Sequence, residues 1–291
     1  MRALSGASPP LKHPGAHLIH EDSEIQVWDV GIDQVLKIRP RSPPSSESRV
    51  QEFLEMNTTI PMPKILQESI DEDTGMHYLY MQNVQGVPLN EAWGGMSSKT
   101  RESIADQMVA ITRQLSSLRS QYLGGLGETP IWDCHLFCGP PVLQGPFYDS
   151  GDLFTALSAT IDEEYAPALP LLRRLMPRAI PAAFTHCNLH MGNIMVHRGR
   201  IVAILGWETA GYFPIWWEYT KLRISSAVAT EWQELLRRRG LEVYPDAKHF
   251  VDVLGVMRGG GKNAARMVDA LVQGGFAARY AVLKQVQVSI G

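Results

Sequence analysis

The stretch 184–219 constrains the fold of this chain more than any other part of the sequence, because a polar loop is followed directly by two short apolar runs. The runs at 194–196 and 201–205 are rich in β-branched residues, which favour strands. Between them lies the segment 197–200, in which Gly199 can adopt the positive φ of a tight turn. We therefore predict a β-hairpin that begins where the polar loop ends.

The polar loop has the residue spacing of a phosphoryl-transfer site but not its residue types. His186, Asn188 and Asn193 are spaced as in the motif H-R-D-x-x-x-x-N, whose aspartate accepts the substrate proton and whose asparagine binds magnesium. Asn188 stands at the position of the proton acceptor, and a carboxamide is not basic enough for that role near neutral pH. Asn193 is the magnesium ligand that the loop retains.

The same stretch resembles the aminoglycoside phosphotransferase (APH) and choline-kinase-like family, most closely its fungal small-molecule phosphotransferase-like branch. For this family we expect HGDLxxxN, a hairpin, IDWE and an aromatic segment that ends in WEY. The chain has HCNLHMGN, then LGWE, then WWEY. The resemblance implies that Gly206 stands where a second magnesium-binding aspartate would be, and glycine has no side chain that could bind a metal.

The resemblance extends over about 35–222 and implies the fold class. We expect an α+β, bilobal, protein-kinase-like (APH-like) fold, with a small N-terminal lobe built on an antiparallel sheet and a larger, mainly helical C-terminal lobe. The predicted divisions are a flexible lead-in at 1–20, an N-terminal lobe at 21–84 and a C-terminal lobe at 85–291. The region that resembles a catalytic loop, 184–219, belongs to the second lobe.

Lys37 and Glu47 form the first candidate pair at a binding site. The resemblance implies that Lys37 lies on a strand and contacts nucleotide phosphates, and that Glu47 lies on a helix and pairs with it. A structural ion pair that joins the strand to the helix is the alternative, since such pairs also place charges in clefts. Lys37 could equally bind an anionic group of another ligand.

Hydrophobic periodicity and turn residues predict the remaining elements. Strands are expected on either side of a turn within 24–38 and again at 78–81. Helices are expected at 47–56, 98–121, 152–164, 220–239, 246–257 and, as one last helix, 263–283. The segment 122–150 is rich in glycine, proline and aromatic residues and is predicted to be a long ordered loop over the site.

Composition excludes several classes of partner. The net charge of −3 provides no basic surface for nucleic acid or for an anionic membrane, so we expect neither partner. No apolar stretch approaches the ~20 residues that span a bilayer, and the first residues lack the apolar core of a secretion signal. Three cysteines cannot form a disulfide framework. We expect a cytoplasmic protein, and the sequence leaves its oligomeric state open.

Cys134, His135 and Cys138 are spaced closely enough to raise the question of a metal site. Two thiols and one imidazole fall short of a tetrahedral set, and a free cysteine usually behaves as a small apolar residue. We therefore predict no metal site and no cofactor. ATP and magnesium enter only if phosphoryl transfer is retained.

The chemistry left in the predicted cleft is that of imidazoles, carboxamides and one carboxylate. The candidate catalytic residues are His190, His186, Asn188 and Glu208. Imidazoles exchange protons near neutral pH, and carboxamides can hold a carbonyl or a developing oxyanion. The candidate binding residues are Lys37, Glu47, Asn193, Asp133, Trp207 and Trp216. Such a site, with its aromatic rim, suits a neutral organic molecule better than a polyphosphate.

The candidates also have structural explanations. His186 can orient the loop backbone, and large aromatic residues such as Trp207 are more often core than pocket lining. Glu208 is either a magnesium ligand that replaces the missing aspartate or a structural hydrogen-bond acceptor. The alternation of side chains along a strand favours the second role, because it turns Glu208 away from the metal position.

We therefore expect a kinase-fold protein that has lost phosphoryl transfer and binds a small organic molecule, as a metal-independent enzyme of secondary metabolism that catalyses an isomerisation, cyclisation or dehydration. The second hypothesis is a weakly active ATP-dependent phosphotransferase that uses Asn193, Glu208 and Lys37. The third is a non-catalytic pseudokinase scaffold, for which substituting His190 or Asn188 would leave the pathway product unchanged.

Overall fold

The computed structural model describes residues 15–22, 25–40, 47–139, 142–222 and 227–290. The chain divides into two compact units. Unit 1 consists of Met1–Gln114, Asn188–Thr209 and Ser226–Arg239, and unit 2 consists of Leu115–Cys187, Ala210–Ser225 and Gly240–Gly291. Each unit therefore draws on three segments of the chain. The lobe limits predicted from the resemblance, 21–84 and 85–291, are a different kind of division from these two units, and they stay a prediction.

The strands of the described ranges are β1 His17–Glu21, β2 Gln26–Gly31, β3 Gln34–Pro40, β4 Ile65–Asp71, β5 Met76–Gln82, β6 Val87–Pro88, β7 Arg119–Ser120, β8 Ala182–Thr185, β9 Ile194–His197, β10 Arg200–Ile204 and β11 Gly211–Phe213. The helices are α1 Glu47–Asn57, α2 Leu89–Ala92, α3 Ser98–Ser117, α4 Ser150–Ser158, α5 Leu169–Leu175, α6 Trp217–Lys221, α7 Ala227–Arg238, α8 Pro245–Arg258, α9 Gly261–Val272 and α10 Phe276–Ile290.

The first five strands form one antiparallel sheet in unit 1, in the order β1-β2-β3-β5-β4. Together with the mainly helical C-terminal part of the chain, this sheet confirms the predicted fold class. Strand β1 occupies positions 17–20 of the expected lead-in, whose residues 1–14 lie outside the described residues. The sheet therefore begins earlier than the sequence pattern indicated.

The hairpin at the end of the polar loop is formed as predicted. Strands β9 and β10 pair antiparallel, with His197 opposite Arg200. The two residues between them, Arg198 and Gly199, have φ values of 48° and 75°. Two consecutive positive φ values are typical of the type I′ turn that matches the twist of a two-stranded ribbon. In unit 1 this hairpin is extended by β6, which pairs with β9.

Three predicted helices differ from the structure. The expected last helix is two helices, α9 and α10, because Gly274 between them has a φ of 72°, a conformation that ends a helix. The helix expected at 152–164 ends at Ser158, and a separate 3-10 turn follows at Glu163–Ala168. The helix expected at 220–239 begins at Ala227 in the described chain, and residues 223–226 lie outside it.

Each unit has its own buried core. The apolar stripe of α3 lies in the core as expected, since Ile104, Met108 and Ile111 are buried. In unit 2 the largest fully buried side chains are Phe184, Phe213, Trp216, Trp217 and Phe250. None of the described helices combines the length and the apolar character that crossing a bilayer requires.

Candidate functional site

The predicted site residues are distributed over both units. Unit 1 contains Lys37, Glu47, Asn188, His190, Asn193, Trp207 and Glu208, and unit 2 contains Asp133, His186 and Trp216.

Lys37 is held by two carboxylates at once. Its Nζ lies 2.9 Å from Oε1 of Glu47, the first residue of α1, and 2.8 Å from Oε2 of Glu208. Only 6% of Lys37 and 5% of Glu47 are exposed, so these charges face each other with little solvent between them. The predicted pair of Lys37 and Glu47 is present, and Glu208 is a second partner that the sequence did not reveal.

The electrostatics of this group keep Lys37 charged. Burial by itself would lower the pKa of Lys37, but the charges of Glu47 and Glu208 outweigh it and raise the pKa to about 12. Burial raises the pKa of Glu47, and Lys37 offsets this only in part. The ammonium thus neutralises the buried carboxylate of Glu47 and the partly buried carboxylate of Glu208.

The strand alternation used to predict the direction of the Glu208 side chain does not extend to this residue. Pairing along β10 ends at Ile204, and Trp207–Thr209 form a 3-10 turn, so the two-residue period of a strand no longer applies. The turn brings the carboxylate back to Lys37. The expectation that Glu208 accepts hydrogen bonds is confirmed, and its donor is the ammonium group.

The loop 188–193 keeps its shape through hydrogen bonds to its own backbone. Asn193 Nδ2 donates to the carbonyl oxygen of Asn188 at 2.8 Å, and the N–H of Asn193 donates to the carbonyl oxygen of His190 at 3.0 Å. The N–H of Leu205 donates to the carbonyl oxygen of Asn193 at 2.8 Å, which ties the loop to the end of β10. None of these bonds needs an acid at 188.

Gly206 and Asn193 fit closely against each other. Gly206 has a φ of 80°, where side chains other than those of asparagine and aspartate are strained. A Cβ atom at this position would lie 2.8 Å from Asn193 Nδ2, so any side chain would have to displace the amide that holds the loop. The asparagine amide occupies the space in which a metal-binding side chain would begin.

This donor set does not fit magnesium. Magnesium is held by carboxylates together with substrate phosphates and water. Position 188 carries an amide, position 206 carries no side chain, and the Glu208 carboxylate is paired with Lys37. Asn193 is left as a neutral oxygen donor, which is too little to hold a hydrated divalent ion on its own.

His190 lies at the start of the 3-10 turn Met191–Asn193 and accepts a hydrogen bond at its ring. The N–H of Gly192 donates to Nδ1 at 3.1 Å. Partial burial of the ring lowers the pKa of His190, and the Glu208 carboxylate offsets this only in part. The imidazole is therefore neutral near pH 7.

In unit 2 the residues around His186 are held by a glutamate that the sequence analysis did not single out. The backbone N–H groups of His186 and Cys187 both donate to Glu218 Oε2, at 2.7 Å and 3.2 Å. Cys187 has a φ of 66°, and His186 is fully buried. These contacts favour the structural explanation for His186. The sequence signal that could have identified Glu218 is the WEY segment in which this residue lies.

We expect Glu218→Leu to lower the free energy of unfolding by about 1–3 kcal/mol, because it leaves the N–H groups of His186 and Cys187 without their acceptor. Urea denaturation measures this change. Glu163→Leu is the control, since Glu163 is exposed at the start of a 3-10 turn in the same unit. Burial raises the pKa of Glu218, so Glu218→Gln, which keeps an acceptor oxygen without the charge, should be tolerated better than Glu218→Leu. Equal stability of Glu218→Leu and the wild type would contradict a clamping role for this side chain.

Asp133 is fully used inside unit 2. Its Oδ2 accepts from Lys221 Nζ at 2.5 Å and from Trp217 Nε1 at 3.4 Å. Its Oδ1 accepts from the N–H groups of His135 and Leu136, both at 2.9 Å. The side chain has no exposed surface. These contacts favour a structural role for Asp133 over the predicted role in ligand binding, because four donors already occupy its carboxylate.

Asp133 also belongs to a group of three residues that could be considered as a metal site. Asp133, Cys134 and His135 bring one ligand atom each to within 4.8 Å of one another. The Asp133 oxygens are taken by Lys221, Trp217 and two backbone donors, so a metal would have to displace a buried ion pair. Cys134 and His135 alone fall short of the set that holds zinc.

The two tryptophans predicted to line the site are core residues. Only 5% of Trp207 and 1% of Trp216 are exposed. Trp207 Nε1 donates to the carbonyl oxygen of Ile204 at 2.8 Å, and Trp216 Nε1 donates to the carbonyl oxygen of Arg178 at 3.1 Å. Both indole N–H groups therefore have hydrogen-bond acceptors within their own units, and the contacts favour the alternative that these tryptophans are packing residues.

Solved structures share this fold at low sequence identity. A thermostable mutant of aminoglycoside phosphotransferase APH(4)-Ia in its apo form is 16% identical, with a TM-score of 0.57 over 94% of this chain and 93% of that chain. ADP-bound APH(2'')-Ib is 11% identical, with a TM-score of 0.58 over 94% and 93%. The streptomycin-ATP-APH(2")-IIa ternary complex is 13% identical, with a TM-score of 0.56 over 90% and 92%.

Sequence comparison assigns the family. Curated protein sequences give no match to this chain. The sequence profile described as "Phosphotransferase enzyme family" (APH) matches residues 16–254. This match covers most of the chain, including the sheet of unit 1, the loop at 188–193 and the Glu218 clamp. The chain therefore belongs to the APH phosphotransferase enzyme family.

Proposed function

We propose that this chain has the phosphotransferase scaffold without the phosphotransfer chemistry, and that it binds a small uncharged organic molecule. The observation that carries the proposal is the position of Glu208, whose carboxylate contacts the Lys37 ammonium in addition to Glu47. A triphosphate would have to compete with this carboxylate for the ammonium. It would also bring its own negative charge close to two acids without a metal to neutralise it.

The loss of the acids at 188 and 206 supports the same conclusion. A missing general base costs roughly 10²- to 10⁴-fold in rate. A missing metal-holding carboxylate removes several kcal/mol of transition-state stabilisation in addition. The polar side chains of the loop 188–193 are one imidazole and two carboxamides, which suit hydrogen bonding to a neutral substrate. We propose a metal-independent isomerisation, cyclisation or dehydration in a biosynthetic pathway of secondary metabolism.

One observation favours a second candidate, a weakly active small-molecule phosphotransferase. The loop 188–193 retains a well-bonded geometry, and Asn193 Oδ1 receives no hydrogen bond from the part of the chain that the structure describes. In this alternative Glu208 leaves Lys37 and holds magnesium beside Asn193. A non-catalytic scaffold is the third candidate. It differs from the first because substituting His190 or Asn188 would then leave formation of the pathway product unchanged.

We expect the Tm of the wild-type chain to show no magnesium-dependent rise with ATP, because a ligand raises Tm only if it binds the folded state. Glu208→Gln is the informative variant, since it removes one of the two carboxylates that hold Lys37. ATP should bind this variant more tightly, on the order of tenfold. Isothermal titration calorimetry with and without magnesium measures both affinities.

The control is Glu231→Gln, which removes an exposed acid elsewhere in unit 1 and should leave ATP affinity unchanged. A large magnesium-dependent Tm rise in the wild type, or turnover of ATP with alcohol or amine acceptors, would overturn the first proposal in favour of the second.

A further inference from the structure

The ring of His190 is bonded to its own loop in a way that determines which nitrogen carries the proton. The N–H of Gly192 donates to Nδ1 at 3.1 Å. A backbone N–H can only donate, so Nδ1 must present a lone pair. The neutral ring therefore carries its proton on Nε2. Among the described residues, no hydrogen bond reaches Nε2.

Gly192 makes this arrangement possible. A Cβ atom at position 192 would lie 2.9 Å from His190 Cε1 and 3.0 Å from His190 Nδ1. Real Cβ atoms do not approach a ring so closely, so any side chain at 192 would push the imidazole away from the backbone. The absence of a side chain at Gly192 lets the ring approach the backbone closely enough for Nδ1 to accept from the Gly192 N–H.

This geometry makes His190 a poor base. Proton transfer to Nδ1 would bring two N–H donors together, since Gly192 already points at that atom. Nε2 already carries a proton, and its lone pair belongs to the aromatic ring, so this nitrogen cannot accept another proton. Partial burial of the ring lowers the pKa of His190, which agrees with a ring that stays neutral. The expectation of acid/base catalysis by His190 is therefore replaced by a different role.

We propose that His190 is a fixed neutral hydrogen-bond donor, whose Nε2–H binds the carbonyl oxygen of an uncharged substrate. The inference rests on the proposed function, because it takes the ligand to be uncharged. A neutral imidazole polarises a carbonyl group without giving up its proton, as in isomerases that use histidine in this way. The substrate class is thus an uncharged carbonyl compound, and the donor is strongest when negative charge develops on its oxygen.

Two substitutions separate this role from a purely structural one. His190→Asn places an amide oxygen near the position of Nδ1, so it keeps an acceptor for Gly192 and loses the Nε2 donor. His190→Gln places an amide N–H near the position of Nε2, so it keeps a donor for the ligand and loses the acceptor. A structural role therefore predicts that Asn is the better replacement, and the proposed role predicts that Gln is the better one for binding.

The first measurement needs no ligand. Nitrogen-15 NMR of the full chain distinguishes the two neutral tautomers, and the spectrum of His190→Asn assigns His190 among the nine histidines. We expect His190 to be protonated at Nε2 at pH 7. A ring protonated at Nδ1 would overturn the inference. This result is independent of ATP binding, so it separates failure of this inference from failure of the proposed function.

The second measurement uses N-methylpyrrolidone, an uncharged lactam with a carbonyl acceptor and no donor, at tens of millimolar. We expect it to shift the Nε2 resonance of His190 in the wild type. Its affinity should fall roughly 2- to 10-fold in His190→Asn, the value of one hydrogen bond, and stay within about twofold in His190→Gln. Absence of a shift in the wild type, or wild-type affinity in His190→Asn, would overturn the inference.

Gly192→Ala provides a third arm that keeps the imidazole intact. The added methyl group must displace the ring, so the tautomer preference and the lactam-dependent shift should both weaken. Gly94→Ala is the matched control, because a Cβ atom at Gly94 would meet nothing within 4 Å. Equal spectra for Gly192→Ala and the wild type would show that the close fit does not fix the ring.

Discussion

Replacing Lys221 with methionine is expected to lower the free energy of unfolding by about 3–5 kcal/mol, because it leaves the Asp133 carboxylate buried without its ammonium partner. The two groups are 2.5 Å apart, and the Asp133 side chain has no exposed surface. Methionine preserves the unbranched apolar stem of lysine, so the variant removes charge more than volume. Thermal unfolding should show a fall in Tm of roughly 10 °C.

Two further variants test whether this loss comes from the unpaired charge. Lys248→Met removes an ammonium that forms an exposed pair on α8, and it should change stability by less than about 0.5 kcal/mol. The double variant Lys221→Met with Asp133→Asn removes both charges and should recover part of the loss. If Lys221→Met alone were as stable as Lys248→Met, Asp133 would not depend on its partner.

Lys37→Met is the second variant with a large expected effect, again about 3–5 kcal/mol of unfolding free energy at neutral pH. It leaves Glu47 and Glu208 facing each other at a site where both had shared one ammonium. The loss should depend on pH in a defined direction. Burial already raises the pKa of Glu47 above its ordinary value, and removing Lys37 removes the main influence that opposes this rise.

The sign follows from proton binding. An acid whose pKa is higher in the folded state holds its proton more tightly there, so it contributes stability at low pH that is lost as pH rises through the folded pKa. The decrease in unfolding free energy caused by Lys37→Met should therefore be smallest near pH 5 and largest above neutrality. Urea denaturation at several pH values measures this dependence.

The double variant Lys37→Met with Glu47→Gln should flatten the pH dependence, because the raised acid is gone. Lys64→Met is the control for removing an exposed lysine in the same unit, and it should show neither effect. A loss that is constant from pH 5 to pH 8 would indicate that Glu47 is not the uncompensated group.

The sequence predicted well those features that depend on neighbouring residues. Gly199 between two β-branched runs indicated the hairpin, and periodicity after turn residues indicated a helix that does begin at Glu47. The break at Gly274 was missed although Gly274 and Gly275 are adjacent, and a pair of glycines is a turn signal. The shortened helix at Ser158 was missed because apolar periodicity alone does not show where a helix ends.

Site chemistry was predicted in part. The spacing of Asn188 and Asn193 and the glycine at 206 already indicated that the acids of phosphoryl transfer are missing. Asp133 was interpreted as a ligand-binding residue because it lies in an aromatic loop, yet it is a buried partner of Lys221, which lies 88 residues further along the chain. Pairs of this kind have no local signal.

What the sequence determined by itself is which chemical groups are present: the family, the hairpin, and an amide and a glycine where two acids belong. Only the tertiary structure decided what the remaining charges do. It brought Glu208 to Lys37, Glu218 to the backbone after β8 and the Gly192 N–H to His190 Nδ1. The physical reason is that hydrogen bonds and ion pairs depend on distances of about 3 Å, which chain folding sets and residue spacing does not.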